Sequence, residues 1–291
     1  TCCPPTTSPA TKPIIIKLFF PVFFMISIIG GGPSGAYLGS LLGDKCRIFE
    51  EHREIGKPVQ CTGILTHSIH DLISVKDDFI VNKIKRIKLI SPSDEEHEFK
   101  LKDEEIIVDR FRFDNHLINL AKDHGAEVLT EYKLKDFSVD DKKIKLKFSN
   151  NQIETDVLVG ADGPNSLVAR KSGLLNGRKY KVGHQYTVKG EFDNEEFSVY
   201  FNGIKNYFGW VVPENKKIAR IGLVGDENIP NHFQNFLDKI GVEKKNFIEC
   251  QSGVIPVFDY HARCCNGNIY LVGDAAGHVK STTLGGIVYG M

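Results

Sequence analysis

The chain has 291 residues, enough for one large domain or two smaller ones, and its 41% hydrophobic and 25% charged content is that of a soluble globular protein. Its 37 basic and 37 acidic side chains cancel, which leaves no global charge to attract nucleic acid. The seven cysteines are odd in number, include two adjacent pairs and contain no C-x-x-C, so neither a disulfide framework nor a zinc site is indicated. A reducing cytoplasm is the expected setting.

Residues 1–24 differ in composition from the rest of the chain. "TCCPPTTSPATKPIIIKLFFPVFF" passes from Pro/Thr-rich to apolar and is broken by Lys17 and Pro21. The apolar stretch Ile14–Ile29 is short for a membrane span, and no small-residue cleavage site precedes the glycine motif. We read residues 1–24 as an extension or gene-model artefact ahead of a natural start at Met25. A membrane-associating segment and an ordinary extra strand stay open.

"MISIIGGGPSGAYLGSLLGDKCRIFEEH" predicts a strand, a glycine-rich turn, a helix and a second strand. Gly30, Gly32 and Gly35 fit G-x-G-x-x-G: the first allows a tight turn, the second lets a pyrophosphate approach the backbone, and the third lets helix pack on strand. The helix N-terminus then offers N–H groups to the phosphates. Ala36, Leu38, Leu41 and Leu42 supply the apolar helix pattern, and Glu50 ends the second strand where it would accept from a ribose diol. Glu51 turns to the other face. Two later buried strands end in similar fashion, at "GADG" (160–163) and "GDAAG" (273–277).

With GGGPSG, GADG and GDAAG in that order, residues 25–291 resemble the FAD-dependent oxidoreductases of the p-hydroxybenzoate hydroxylase type. Four strings are similar to one branch, the geranylgeranyl reductases, which saturate isoprenoid chains including archaeal membrane-lipid precursors. They are "EEHREIGKPVQCTGIL" (50–65), "VDRFRFDNHLINLAKDHGAEV" (108–128), "YFGWVVPENKKIARIGLV" (207–224) and "GDAAGHVKSTTLGGI" (273–287). The resemblance implies an α/β fold, a Rossmann-like FAD-binding domain with an interleaved antiparallel-sheet substrate domain. It places Cys61 near the flavin as the catalytic candidate, Arg110 and Asp274 against FAD, and Gly285 and Gly286 over the isoalloxazine. Phe208 and Trp210 would line a prenyl tunnel. FAD is the implied cofactor, with NAD(P)H or reduced ferredoxin as electron donor, an isoprenoid lipid as substrate, and a cytoplasmic location that includes peripheral membrane contact.

The chain departs from that pattern at Phe208, Val212, Glu214, Ser281 and Leu284, where the family has Tyr, Phe, Lys, Pro and Gly. Leu284 would bring a Cβ and an isobutyl group to where backbone meets the ring. The family continues with further helices beyond the equivalent of Met291, absent from this sequence. The expected layout is FAD-binding domain at 25–79, 107–170 and 265–291, and substrate domain at 80–106 and 171–264.

Elsewhere "KIKRIKLI" (83–90), "EFKLKDEEIIV" (98–108) and "KKIKLKF" (142–148) alternate as half-buried strands of a second layer do. Their lysines are read as solvated faces, with attraction to anionic lipid headgroups as the alternative. The stretch 180–212 predicts further strands, and "NHFQNFLDKI" (231–240) a helix. His67, His70 and Asp71 share helical spacing without a further ligand cluster, so no metal is expected. A flavin monooxygenase of an aromatic substrate, or an FAD-binding chain without activity, are the competing readings.

Overall fold

The computed structural model describes residues 24–140, 143–149, 151–175, 177–201, 208–226 and 228–291. The extension expected at residues 1–24 lies outside the described residues except for Phe24.

The glycine-motif unit forms as the sequence predicts. Strand Ile26–Ile29 is buried along its whole length, helix Pro33–Leu42 follows the turn, and strand Cys46–Phe49 returns in parallel. A strand buried on both faces is what a parallel sheet covered on two sides requires. The six-stranded sheet runs Cys265–Asn266, Ile269–Leu271, Val157–Gly160, Ile26–Ile29, Cys46–Phe49, Glu127–Leu129, all parallel except the first pair. Ile28 and Ile48 face the helices Pro33–Leu42 and Arg110–Asp123, while Ile29, Phe49 and Leu158 face a small antiparallel sheet that contributes Ile144 and Leu146.

Of the apolar pattern expected of the helix, Ala36 is buried and Leu38 and Leu42 pack against the core, but Leu41 does not. Leu41 is 65% exposed, and the buried residues of the helix are Gly35, Ala36, Gly39 and Ser40. A Cβ at Gly39 would sit 2.5 Å from Ile48 Cδ1 and 3.4 Å from Ala121 Cβ, so small residues, not leucines, set the approach of helix to sheet.

The second layer is an eight-stranded sheet ordered Phe247–Pro256, Tyr180–Lys189, Ile218–Gly225, Phe208–Asn215, Glu196–Tyr200, Ile80–Ile90, Glu96–Val108, Ile64–Leu65. Its pairs are antiparallel except Glu196–Tyr200 beside Ile80–Ile90. Helix Ile229–Lys239 buries Phe233, Phe236 and Leu237 against it. The strand expected at 142–148 forms at Lys143–Lys147, but in the separate sheet of Asp136–Asp140, Lys143–Lys147 and Gln152–Thr155. Its alternation of exposed lysines with buried Ile144 and Leu146 is otherwise as expected. The boundary expected at 106/107 falls inside the strand Glu96–Val108, and Ile64–Leu65 joins the same sheet, so the two regions share strands.

Candidate functional site

In register, Ile29 lies opposite both Phe49 and Gly160, and Gly160 opposite Leu271. Four strands therefore end at one level, and the turns that follow them converge at the carboxyl edge of the sheet. In open α/β sheets this edge is where ligands bind.

The first turn is built by its glycines. Gly30 has φ 107°, and a Cβ there would meet the Ala161 carbonyl oxygen at 2.2 Å. A Cβ at Gly35 would lie 2.1 Å from the Gly30 carbonyl oxygen, so the helix can start this close only without one. A Cβ at Gly32 would meet nothing within 4 Å. Gly32 caps the helix without a side-chain hydrogen bond, leaving an open N-terminus directed at a cavity of about 620 Å³.

That cavity lies between the two large sheets. It brings together Gly32, Cys61, Arg110, Phe208, Trp210 and Asp274, with Gly285 and Gly286 beside them. Gly30, Gly35 and Glu50 are not part of its wall. Glu50 is buried beside the glycine turn, where Oε2 accepts from the Gly31 amide at 2.8 Å and Oε1 from the His52 amide at 2.9 Å. His52 Nδ1 lies 2.6 Å from the same Oε1. His52 fills Oε1 twice over while Oε2 keeps a lone pair to spare, so this geometry orients Glu50 and leaves Oε2 able to accept from a diol. Glu51 turns away and pairs with Lys133.

Cys61 is half-buried in a loop, with Sγ accepting from the Gly63 amide at 3.3 Å. Arg110 stands beside it at the start of the helix capped by Asp109, whose side chain accepts from the Arg112 amide. The Arg110 side chain is 14% exposed and grips Asp114 through Nε at 3.0 Å and Nη2 at 2.9 Å. Burial alone would lower its pKa, but the Asp114 carboxylate outweighs this, so the guanidinium stays charged.

Asp274 lies in the turn Gly273–Ala275, which follows the strand Ile269–Leu271 and Val272. The strand stops short of the acid, and a helical turn presents it instead. Burial pushes its pKa up, against the pull of Arg110 and Arg178. A Cβ at Gly286 would come within 2.8 Å of Asp274 Oδ1. Leu284 adopts φ 58°, a left-handed conformation that suits glycine, and buries its side chain to 7% exposure in the cavity wall. Its N–H donates to the Lys280 carbonyl at 3.0 Å, and the Lys280 N–H to the Gly285 carbonyl at 3.0 Å, closing the 280–285 loop.

Away from these turns the wall is mostly apolar. Phe208 and Trp210 rings are 6.0 Å apart, and Ile87, Leu89, Phe197 and Val199 extend the surface. Sequence reasoning missed three polar groups here. Glu105 lines the cavity with its pKa raised by burial, against the pull of Lys280, which lines it too. Gln185 lies beneath Trp210. Alternation along a charged strand hid Glu105 among solvated neighbours, and nothing in the sequence distinguishes Gln185.

His67 and His70 have ring centroids 4.9 Å apart, and among the described residues no group of three or more metal-ligating side chains occurs. Among them, too, no helix is long and apolar enough to cross a membrane.

No family model matches the chain. It is 27% identical to the digeranylgeranylglycerophospholipid reductase of Thermoplasma volcanium over 90% of this chain and 74% of that protein. Digeranylgeranylglycerophospholipid reductase 1 of Methanopyrus kandleri is 28% identical over 91% of this chain and 76% of its own. A geranylgeranyl bacteriochlorophyll reductase-like protein from Thermoplasma acidophilum superposes with a TM-score of 0.81 at 22% identity, covering 92% of this chain and 75% of that one. A variant of halogenase PltM in complex with FAD superposes with a TM-score of 0.70 at 16% identity, covering 91% and 66%. In sequence the chain is thus similar to the digeranylgeranylglycerophospholipid reductases, and its fold is the mixed α/β architecture with a Rossmann-like domain seen in the two solved structures.

Proposed function

We propose that this chain is an FAD-dependent oxidoreductase that saturates double bonds in isoprenoid chains of lipid precursors. The observation that carries the reading is one cavity whose one end is made of nucleotide-motif backbone and whose other end is apolar. The residues fit FAD on geometric grounds: open space over Gly32 and a helix N-terminus that no side chain caps. When bound, the flavin supplies hydride chemistry that no side chain can.

The chain's own groups then hold and shield. Gly30, Gly32 and Gly35 shape the pyrophosphate cradle, and Glu50 accepts from the adenosine ribose. Asp274 and Arg110 bind the middle of the cofactor, while Gly285 and Gly286 lie along the ring. Cys61 faces the reacting end, with the Arg110 guanidinium beside its sulfur. Phe208 and Trp210 pack the prenyl chain, whose only handle is apolar surface worth ~25 cal/mol per Å² buried. Chain-length selectivity is therefore weak, since a methylene discriminates by only ~1–3 kcal/mol. NAD(P)H or a reduced ferredoxin supplies the electrons, and the lipid is delivered at a membrane surface.

The test is spectral and chemical. The purified chain should show bound flavin absorbance, and under reducing, oxygen-free conditions should add two hydrogens per double bond to a geranylgeranylated lipid, read by mass spectrometry. A colourless protein that takes up no FAD overturns the reading. Hydroxylation of an aromatic compound with oxygen consumption would replace it with a monooxygenase.

A further inference from the structure

Beneath the apolar wall lies a buried polar cluster that the nucleotide motifs do not use. Gln185, in the middle of the strand Tyr180–Lys189, is 4% exposed. Its Oε1 accepts from two donors on separate segments, Thr62 Oγ1 at 2.8 Å and Trp210 Nε1 at 3.1 Å, while Nε2 donates to Gln251 Oε1 at 2.6 Å. An indole N–H can only donate, so chemistry fixes which way the Gln185 amide points.

Thr62 is held a second time. Its carbonyl accepts from Arg220 Nη1 at 2.5 Å, and the same nitrogen donates to the Val108 carbonyl at 3.1 Å. Arg220 is itself buried and pairs through Nε with Glu214 at 2.6 Å. The residue gripped at both ends is the immediate neighbour of Cys61. Opposite Gln185 in the sheet is Gly222, where a Cβ would lie 2.4 Å from Trp210 Cζ2 and 2.7 Å from Gln185 Cβ. The indole is thereby seated flat on the strand with its N–H against the amide.

We propose that Gln185 is a positioning residue that couples the Trp210 wall to the Cys61 loop, so that an apolar chain lodging against the indole is felt at the thiol. One buried oxygen serves both donors. A guest that tilts the indole weakens one bond and redistributes the other, with little water at hand to compensate. Coupling of this kind is reciprocal, so blocking Cys61 also changes the affinity of the cavity for its guest. The functional consequence rests on the proposed prenyl chemistry, but the coupling is measurable without turnover.

Trp210 is the only tryptophan in the chain, so its emission reports this wall alone. The FAD-loaded full chain is titrated with geranylgeraniol while Trp210 emission is followed. Cys61 alkylation by iodoacetamide is followed in parallel, resolved from the other cysteines by peptide mass spectrometry. In the parent protein both signals should change with one half-saturation point. In Gln185→Leu the emission should still respond, the alkylation should not, and the basal Cys61 rate should rise roughly tenfold, as loss of one buried hydrogen bond implies. Gln185→Glu keeps the shared acceptor and should restore the coupling. If Gln185→Leu does not fold, Thr62→Val removes the same bond and is read identically. Ligand-dependent alkylation at the parent level in a folded Gln185→Leu or Thr62→Val protein overturns the proposal. If geranylgeraniol leaves parent Trp210 emission unchanged, the prenyl reading fails, and an unaltered basal Cys61 rate in Gln185→Leu would then overturn the coupling on its own.

Discussion

Two alanines three positions apart in the glycine turn should have opposite effects. A methyl at Gly32 meets nothing within 4 Å, and the residue's φ of −69° is open to any amino acid. Gly32→Ala should therefore cost the empty protein no more than ~1 kcal/mol, the penalty of alanine at a helix N-cap. Gly32 lines the cavity, and in the proposed reading the same methyl would stand where the pyrophosphate touches backbone. Displacing one charge-assisted hydrogen bond there is worth ~1.5–3 kcal/mol, or roughly a tenfold to hundredfold loss of FAD affinity. At Gly35 the added carbon would be 2.1 Å from the Gly30 carbonyl oxygen and 3.0 Å from Ala161 Cβ, so backbone has to move. Overpacking of this kind costs ~1–3 kcal/mol or more before any ligand is considered. Urea unfolding of the cofactor-free variants, beside equilibrium titration with FAD, separates the two. A folded Gly32→Ala protein that binds FAD like its parent would refute the placement of the pyrophosphate. Equal destabilisation by both substitutions would refute the packing argument.

Leu284→Gly should relieve ~1–2 kcal/mol of left-handed strain but forfeit ~1.5–3 kcal/mol of buried side chain, so a slightly lower melting temperature with tighter FAD binding is expected. Burial raises the Glu105 pKa above its unfolded value of 4.5, so its contribution to stability is intact below pH 4.5 and falls as pH climbs through the folded value. Glu105→Gln should accordingly stabilise the protein at neutral pH, with the gain vanishing in acid, as denaturant midpoints across pH will show. Cys46, pushed up to about 11 by burial and the nearby Asp44, should resist alkylation at pH 8 while the exposed Cys264 and Cys265 react. Gly222→Ala should push the indole off its strand and shift Trp210 emission to the red, and unchanged emission would contradict the seating described.

Much of this architecture was legible because local pattern and global role coincide. Ile26–Ile29 had to be a buried parallel strand, and the glycine spacing had to follow it. In the helix after the turn, sequence periodicity misjudged Leu41, which is exposed, while Leu38 and Leu42 do pack against the core but only half-buried. Gly39 against Ile48 shows why: the turn pulls the helix so close that only small residues fit between. Lys143–Lys147 read correctly as a half-buried strand, but period alone does not say which sheet a strand joins. Glu50, Cys61, Arg110 and Asp274 carried motif signals; Glu105, Gln185 and Arg220 did not. Their roles come from contacts across 100 residues or more, such as Arg220 reaching Thr62 and Val108, and such pairings leave no trace in local spacing.

The convergence of distant segments on one cavity follows from sheet register more than from any single motif. Strands Ile26–Ile29 and Ile269–Leu271 flank Val157–Gly160 in parallel, so the three turns beyond them must emerge on the same edge. The eight-stranded sheet covers that edge with Ile87, Leu89, Phe197, Val199, Phe208 and Trp210, and its 13-residue strand Glu96–Val108, which adds Glu105 to the wall, runs straight into Asp109 and Arg110. Because that strand belongs to the sheet behind the apolar wall and leads directly into the helix of Arg110, a shift of the wall should be felt at Arg110 as well. Arg220 ties the same strand end to the Cys61 loop. If the proposed coupling holds, substitutions at the wall should alter the placement of the Cys61 thiol as well as the affinity of the cavity for its guest.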